Sequence, residues 1–415
     1  MSQALYPLKS NYMKKSFILS VCVLLFTFVQ GQKLVPYDSI LPMEPYNFIL
    51  GTNMIGGKYQ FTNDSKLLEQ AKHVRGMGSN ILKISLGANS PKSYALTIDQ
   101  KPSTTLELFN ASTEYKKVVD MDFKYIFIWV HTITGINWKK GINPEQEKRL
   151  YDEMFDFVTY LLKTYNNSGK TFLIGNWEGD WLLLPDYNRT AAPPAEHIQN
   201  MTKWFQIRQK AIDDAKKAAV VKNVQLYHYI EVNLVLKGMK GEPCIASSIL
   251  PYVNVDLVSY SSYEAIKNRT YNEKKEQLNS IFNYLEKQLQ PKEGLPFSRR
   301  VYIGEYGYHA NSNRPESFTK QYNETKEIMK ISLELNLPFA LHWQMYNNEY
   351  ETNGESKQMS LINEQGERMP LYHLHQQYYR KMNHFLINYK AKSKTAPSAE
   401  VFRKKALEVL NEDKL

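Results

Sequence analysis

Three features of the chain predict an α/β protein built as one (β/α)8 TIM barrel. Short apolar runs alternate with longer helical patterns from about residue 46 to 380, eight such units can be counted, and polar residues gather where the apolar runs end. An open doubly wound sheet needs fewer strands and usually a phosphate-binding glycine loop. The chain carries no Walker string and no Gly-x-Gly-x-x-Gly.

In chain order the expected strands are Asn47–Thr52, Ile81–Ser85, Tyr125–Val130, Thr171–Gly175, Val224–Ile230, Val255–Tyr260, Arg300–Gly304 and Phe339–Trp343. Between them, Asp64–Gly78, Pro144–Tyr165, Ala195–Val221, Tyr271–Gln290 and Pro315–Leu335 repeat apolar residues at intervals of three and four, the period of a helix with one buried face. Asn63 and Asn143 stand as N-caps for the first two helices, and Gly76 with Gly78 marks the end of the first. After strand five, Glu242–Pro251 supports at most a short helix. Residues 384–415 are polar and end in the helical pattern Ala399–Asn411, so they read as a tail on a barrel spanning 32–383.

The start of the chain reads differently. Met13-Lys14-Lys15, the apolar run Phe17–Val29 and the exit Gln30-Gly31-Gln32 have the layout of a secretory signal, with Met1 or Met13 as the start. The run is too short to span a bilayer comfortably, so the expectation is cleavage near Gly31, no stable membrane insertion afterwards, and a secreted or periplasmic protein. Removal of residues 1–31 takes the formal net charge from +10 to +7 and leaves Cys244 as the one cysteine, which excludes an internal disulfide framework. The positive excess is scattered and densest between Lys390 and Lys405, the pattern of a solvated helix face rather than a nucleic-acid surface.

In such a barrel, chemistry sits at the carboxyl ends of the strands. Asn53 follows strand one, Lys83 lies in strand two, His131 ends strand three, and Asn176, Trp177, Glu178 and Trp181 follow strand four. Glu231 and Asn233 follow strand five, Tyr263 follows strand six, Glu305 follows strand seven, and Trp343 closes strand eight. Two carboxylates at strand ends, one of them set among tryptophans, match the acid/base and nucleophile of a retaining glycosidase.

With these residues in place the chain resembles clan A of the retaining glycoside hydrolases, the cellulase- and mannanase-like barrels. Leu50-Gly51-Thr52-Asn53 is similar to that clan's first-strand Gly-x-Asn string, and Gly78-x-Asn80-x-x-Lys83 to its second-strand Gly-x-Asn-x-x-Arg. The resemblance implies Glu178 as acid/base and Glu305 as nucleophile. Three departures mark a divergent member: Trp177 separates Asn176 from Glu178, Lys83 stands for arginine, and Ser261 stands where histidine is expected two residues before Tyr263.

The residues support the same roles physically. Trp177 and Trp181 beside Glu178 would desolvate it and raise its pKa, as a general acid requires. Lys83 or Tyr263 would hold Glu305 ionised. Asn53, His131, Asn176 and Trp343 are the remaining expected substrate contacts, with Trp343 as a sugar-stacking platform. Glu231 is read as structural or substrate-binding, and as the reserve catalytic carboxylate. The expected substrate is a β-linked oligo- or polysaccharide, with no cofactor. The histidines include no His-Glu-x-x-His, and the pair His373-Leu374-His375 does not sit at a strand end with a carboxylate partner, which disfavours a metal-dependent hydrolase. A carbohydrate-binding barrel without catalysis is the alternative that the Asn176-Trp177-Glu178 spacing supports.

Overall fold

The computed structural model describes residues 35–412; the expected signal segment 1–31 lies outside them. Eight parallel strands close in sequence order, with β1 paired to both β2 and β8. They are β1 (Leu50–Asn53), β2 (Ile81–Leu86), β3 (Tyr125–Val130), β4 (Thr171–Gly175), β5 (Gln225–Val232), β6 (Leu257–Ser261), β7 (Val301–Tyr306) and β8 (Ala340–His342). The fold class read from the sequence is therefore the observed one. Two strand ends differ in a way that matters later. β1 begins three residues late because the Asn47 side chain accepts the Ile49 N–H at 2.8 Å and turns the chain before the strand. β7 runs two residues further than expected, so Glu305 lies inside it rather than after it.

Strands buried on both faces explain why the sequence shows apolar runs instead of alternation. In β3, Ile126, Ile128 and Val130 face the helices, whereas Phe127 and Trp129 fill the barrel interior. That interior is aromatic. Phe127, Tyr302 and Phe339 pack with ring centroids 5.0–5.7 Å apart in edge or tilted contact, and Tyr229 joins Tyr302 at 5.9 Å. Rings of this size need small residues opposite. A Cβ on Gly175 would lie 2.2 Å from the Tyr229 ring, so a larger residue there would displace the layer beneath the site.

The long helices form as their sequence periods require. The first is Lys66–Met77, capped by Ser65, whose side chain accepts the Leu68 N–H, rather than by Asn63. Gly76 lies inside this helix and Gly78 ends it in the left-handed conformation, at φ 108°. Pro144–Thr164 starts as expected, with Asn143 and Gln146 in a reciprocal capping box. Ala195–Ala218, Tyr271–Gln288 and Glu316–Glu334 complete the set with small changes at their ends. After β5 come only short pieces, Val235–Met239, Ile245–Ser248 and a 3-10 turn Leu250–Tyr252.

The tail is more integrated than its composition implies. Residue 383 falls inside a helix running Pro370–Ser393, whose Tyr378 and Tyr379 hydroxyls donate to the carbonyls of Phe48 and Leu50 at the foot of the barrel. A last helix, Ala399–Glu412, buries Phe402, Ala406, Val409 and Leu410. Phe402 packs edge-on against Phe48 at 6.0 Å and against Tyr46 at 4.7 Å. No helix among the described residues is long and apolar enough to cross a membrane.

Truncation of a buried phenylalanine of this kind costs about 3–5 kcal/mol. Phe402→Ala is therefore expected to lower the urea midpoint of unfolding markedly, whereas a detached tail would leave it unchanged.

Candidate active site

The strand ends of the barrel bring together three carboxyl groups and one ammonium. A β-bulge supplies the first carboxyl. Tyr260 pairs with Ile303 and Ser261 with Glu305, so Gly304 is an extra residue in β7, and the pairing with β8 shifts over the same interval. Strict alternation would put Tyr302 and Gly304 inside and turn Glu305 toward the helices. The bulge instead aims Glu305 into the mouth and sends Tyr306 outward against His342, at 5.6 Å. The extra residue must be glycine, because a Cβ there would sit 1.8 Å from Ser259 Oγ and 2.9 Å from Glu231 Oε2.

Glu178 comes from the turn after β4, at the head of the short helix Gly179–Leu183. Ser261 at the end of β6 lies between the two candidate catalytic groups. Its hydroxyl donates to Glu178 Oε1 at 2.5 Å and stands 3.5 Å from Glu305 Oε2. The facing carboxyl oxygens are thus no further apart than these two distances placed end to end.

Glu231, the third carboxyl, is fully buried in β5 and points inward with Tyr229 beneath it. It accepts from Lys83 Nζ at 2.7 Å, from Ser259 Oγ at 2.7 Å and from the Glu178 backbone N–H at 3.1 Å. Glu231 therefore positions both the lysine and the turn that carries Glu178. Lys83 Nζ lies over the Trp129 ring at 4.1 Å and stands 3.6 Å from Glu305 Oε1. Its close partner is Glu231, and Glu305 receives its charge at longer range.

These surroundings set the ionisation. Burial pushes the Glu178 carboxyl up to about 7, opposed by the Ser261 hydrogen bond, reinforced by the Glu231 charge, and opposed again by Lys83 and the Trp181 hydrogen bond. Burial also pushes Glu305 well above the usual carboxylate range, against Lys83 and with the charges of Glu178 and Glu231. The Glu178 charge thus adds to the burial that raises Glu305. The expected charge contact from Lys83 to Glu305 is present, although Lys83 bonds more closely to Glu231. The Tyr263 hydroxyl has no hydrogen-bond partner among the described residues.

The other expected contacts divide into two groups. Trp181 and Tyr263 line a cleft of about 650 Å³ together with Glu178 and Ser261. Trp177 and His131 line a second cleft, of about 740 Å³, at the ends of β1–β4. Burial, with the Arg208 charge, holds the His131 imidazole down to about 4. Three residues make contacts within the fold. The Asn53 amide donates to the carbonyls of Gly304, Leu341 and His342 at 3.1–3.3 Å, tying β1 to β7 and β8. Asn176 accepts the Glu231 N–H at 3.1 Å and donates to the Trp177 carbonyl. Trp343 is buried with Trp129 in the barrel interior, at 6.1 Å, which makes it part of the packed floor. The inward position of Glu231 follows from the sequence only in outline, as Tyr227, Tyr229 and Glu231 fall on one face of β5 and alternate with His228 and Ile230. No group of three or more His, Cys, Asp or Glu among the described residues is arranged to hold a metal ion.

No protein-family model matches the chain, and no curated protein matches it. Similar solved structures include a family 39 glycoside hydrolase from the gut symbiont Bacteroides cellulosilyticus WH2, with a TM-score of 0.47 and 12% identity over 82% of this chain. The chain spans 64% of that enzyme's length. A Bacteroidetes-affiliated GH5 cellulase linked with a polysaccharide utilization locus gives a TM-score of 0.49 at 11% identity, covering 89% of this chain and 92% of that one. A family 5 xyloglucanase from Paenibacillus pabuli gives 0.47 at 12%, covering 88% and 99%.

Removal of the Ser261 hydroxyl takes away a bond that stabilises ionised Glu178. In Ser261→Ala the Glu178 titration, followed by 13C NMR of the labelled carboxyl, is expected to move upward from about 7. A midpoint that stays or falls would contradict the assigned contact.

Proposed function

We propose that the chain is an exported enzyme that hydrolyses a β-linked glycan with net retention. The observation that carries this reading is the single serine hydroxyl reaching both Glu178 and Glu305, which brings the two carboxyls toward the spacing of a retaining pair, about 5–5.5 Å.

In the first step a Glu305 carboxylate oxygen attacks the anomeric carbon as the glycosidic C–O bond breaks, and the leaving oxygen takes the proton of Glu178. The product is a glycosyl ester on Glu305. In the second step Glu178, now a carboxylate, removes a proton from water. The water oxygen attacks the anomeric carbon, the ester bond breaks, and Glu305 returns as a carboxylate. A carboxyl with its pKa near 7 suits the exchange of acid and base roles at neutral pH. Lys83, 3.6 Å from Glu305, favours the carboxylate both as attacking and as departing group. Glu231 holds Lys83 and the Glu178 turn in place throughout. Trp181 and Tyr263 offer ring faces beside Glu178 for the sugar on the leaving-group side. Export rests on the signal-like segment, and N-terminal sequencing of secreted protein should find a start close to Gln32.

Two variants test the chemistry. Glu305→Gln is expected to abolish turnover of every substrate. Glu178→Ala should lose about 10²- to 10⁴-fold on substrates with poor leaving groups and much less on activated aryl β-glycosides. Added azide should then give a β-glycosyl azide, because the ester still forms and needs no general base for an anionic nucleophile. Full activity in either variant would remove these residues from the site, and glycan binding without turnover in the wild type would favour the non-catalytic barrel.

The pH dependence follows from the pair. Activity should fall on the alkaline side as the two carboxyls lose their last proton, and on the acid side as both become protonated. A kcat/KM profile that stays flat from pH 5 to 9 would contradict the assignment.

A further inference from the structure

The two clefts at the barrel mouth differ in charge. The cleft of about 740 Å³ beside Trp177 is bordered by Lys58, Lys66 and Lys92, and by no carboxylate. Lys66 Nζ donates to the Gly57 carbonyl at 3.1 Å, and Lys58 lies 6.0 Å from the Tyr350 ring. None of the three ammonium groups forms an ion pair with another described residue. Surface lysines elsewhere are often neutralised along their own helices, as in Lys116–Asp120, Lys148–Asp152 and Lys210–Asp214. In the cleft beside Glu178 the charges are mixed, with Lys237, Lys240 and Lys267 facing Glu242 and Glu264.

Three unneutralised cations in one concavity repel one another and raise a positive potential that the low-dielectric walls focus outward. A neutral sugar needs no such field, because its hydroxyls are met by amides, hydroxyls and ring faces. Here Trp177 supplies the ring face, and His131, held neutral, supplies a nitrogen able to accept or donate. From this juxtaposition we infer that the Lys58–Lys66–Lys92 cleft binds a sugar unit bearing a carboxylate or a sulfate ester. The substrate is then an acidic β-linked glycan, with its charged unit on the β1–β3 side of the bond that is cut. The inference rests on the hydrolase reading for the cleavage, but not for the binding.

Calorimetry with the full-length Glu305→Gln variant tests the binding alone. The probes are β-linked mannuronate oligosaccharides for the carboxylate, carrageenan oligosaccharides for the sulfate, and cello- and manno-oligosaccharides of equal length as neutral controls. At least one acidic series should bind tenfold or more tightly than the neutral ones and weaken as salt is raised. Which series wins identifies the anionic group. Adding Lys66→Gln and Lys92→Gln should weaken the acidic probe by about tenfold for each lysine in contact with the anion, and leave neutral binding unchanged. Lys92→Glu, at an exposed position, repeats the test by charge reversal. Neutral probes bound as tightly as acidic ones, or no loss in the lysine variants, would overturn the inference. Equal losses for an oligothymidylate would overturn it too, by showing general polyanion attraction. Acidic-sugar binding without hydrolysis by the wild type would overturn the hydrolase reading and leave this one standing. Efficient hydrolysis of neutral glycans alone would do the reverse.

Discussion

Three carboxyl groups, Glu178, Glu231 and Glu305, surround one ammonium, Lys83, inside the barrel mouth. A single positive charge cannot compensate three negative ones in a medium that solvates charge poorly, so the cluster retains a proton near neutral pH. The rest of the site follows from where that proton goes. Lys83, Ser259 and a backbone N–H all donate to Glu231, and the pair linked through Ser261 carries the remaining imbalance. One protonated and one ionised carboxyl is the condition that a reaction with one acid and one nucleophile starts from.

The fold serves this cluster by close packing. Aromatic rings fill the barrel below it, and glycines stand where those rings or the buried carboxylates need room, as Gly175 does for Tyr229 and Gly304 for Ser259 and Glu231. The Asn53 amide gathers β7 and β8 onto β1, and Asn176 couples the β4 turn to β5, so Glu305 and the Glu178 turn are each tied to a neighbouring strand by a side-chain amide. The short spacing through Ser261 depends on this rigidity. Ser261, read in the sequence only as a departure from histidine, is what joins the two carboxyls.

Much of this was legible in the residues, and what was not has identifiable causes. Strands buried on both faces leave unbroken apolar runs such as Tyr125–Val130, and the helices between them keep their period, so the barrel could be counted. The bulge at Gly304 could not be read, because it is defined by pairing with β6 and β8, far away in the chain. The backbone carbonyls that the Asn53 and Asn176 amides reach, and the Trp129 ring beside Trp343, belong to other strands or to the next residue and so are not marked in the local sequence. The polar tail hides four buried side chains on one face of its last helix, a pattern too short to outweigh its charged residues.

The account stands most directly on the covalent step. Inactivation with an activated 2-deoxy-2-fluoro-β-glycoside of a sugar the protein binds, followed by peptide mass mapping, would locate the ester that the proposed mechanism traps. The proposed mechanism predicts one glycosyl unit on the peptide containing Glu305, released slowly with retained configuration. A label on Glu178 or Glu231, or release of the inverted anomer with no label at all, would contradict it.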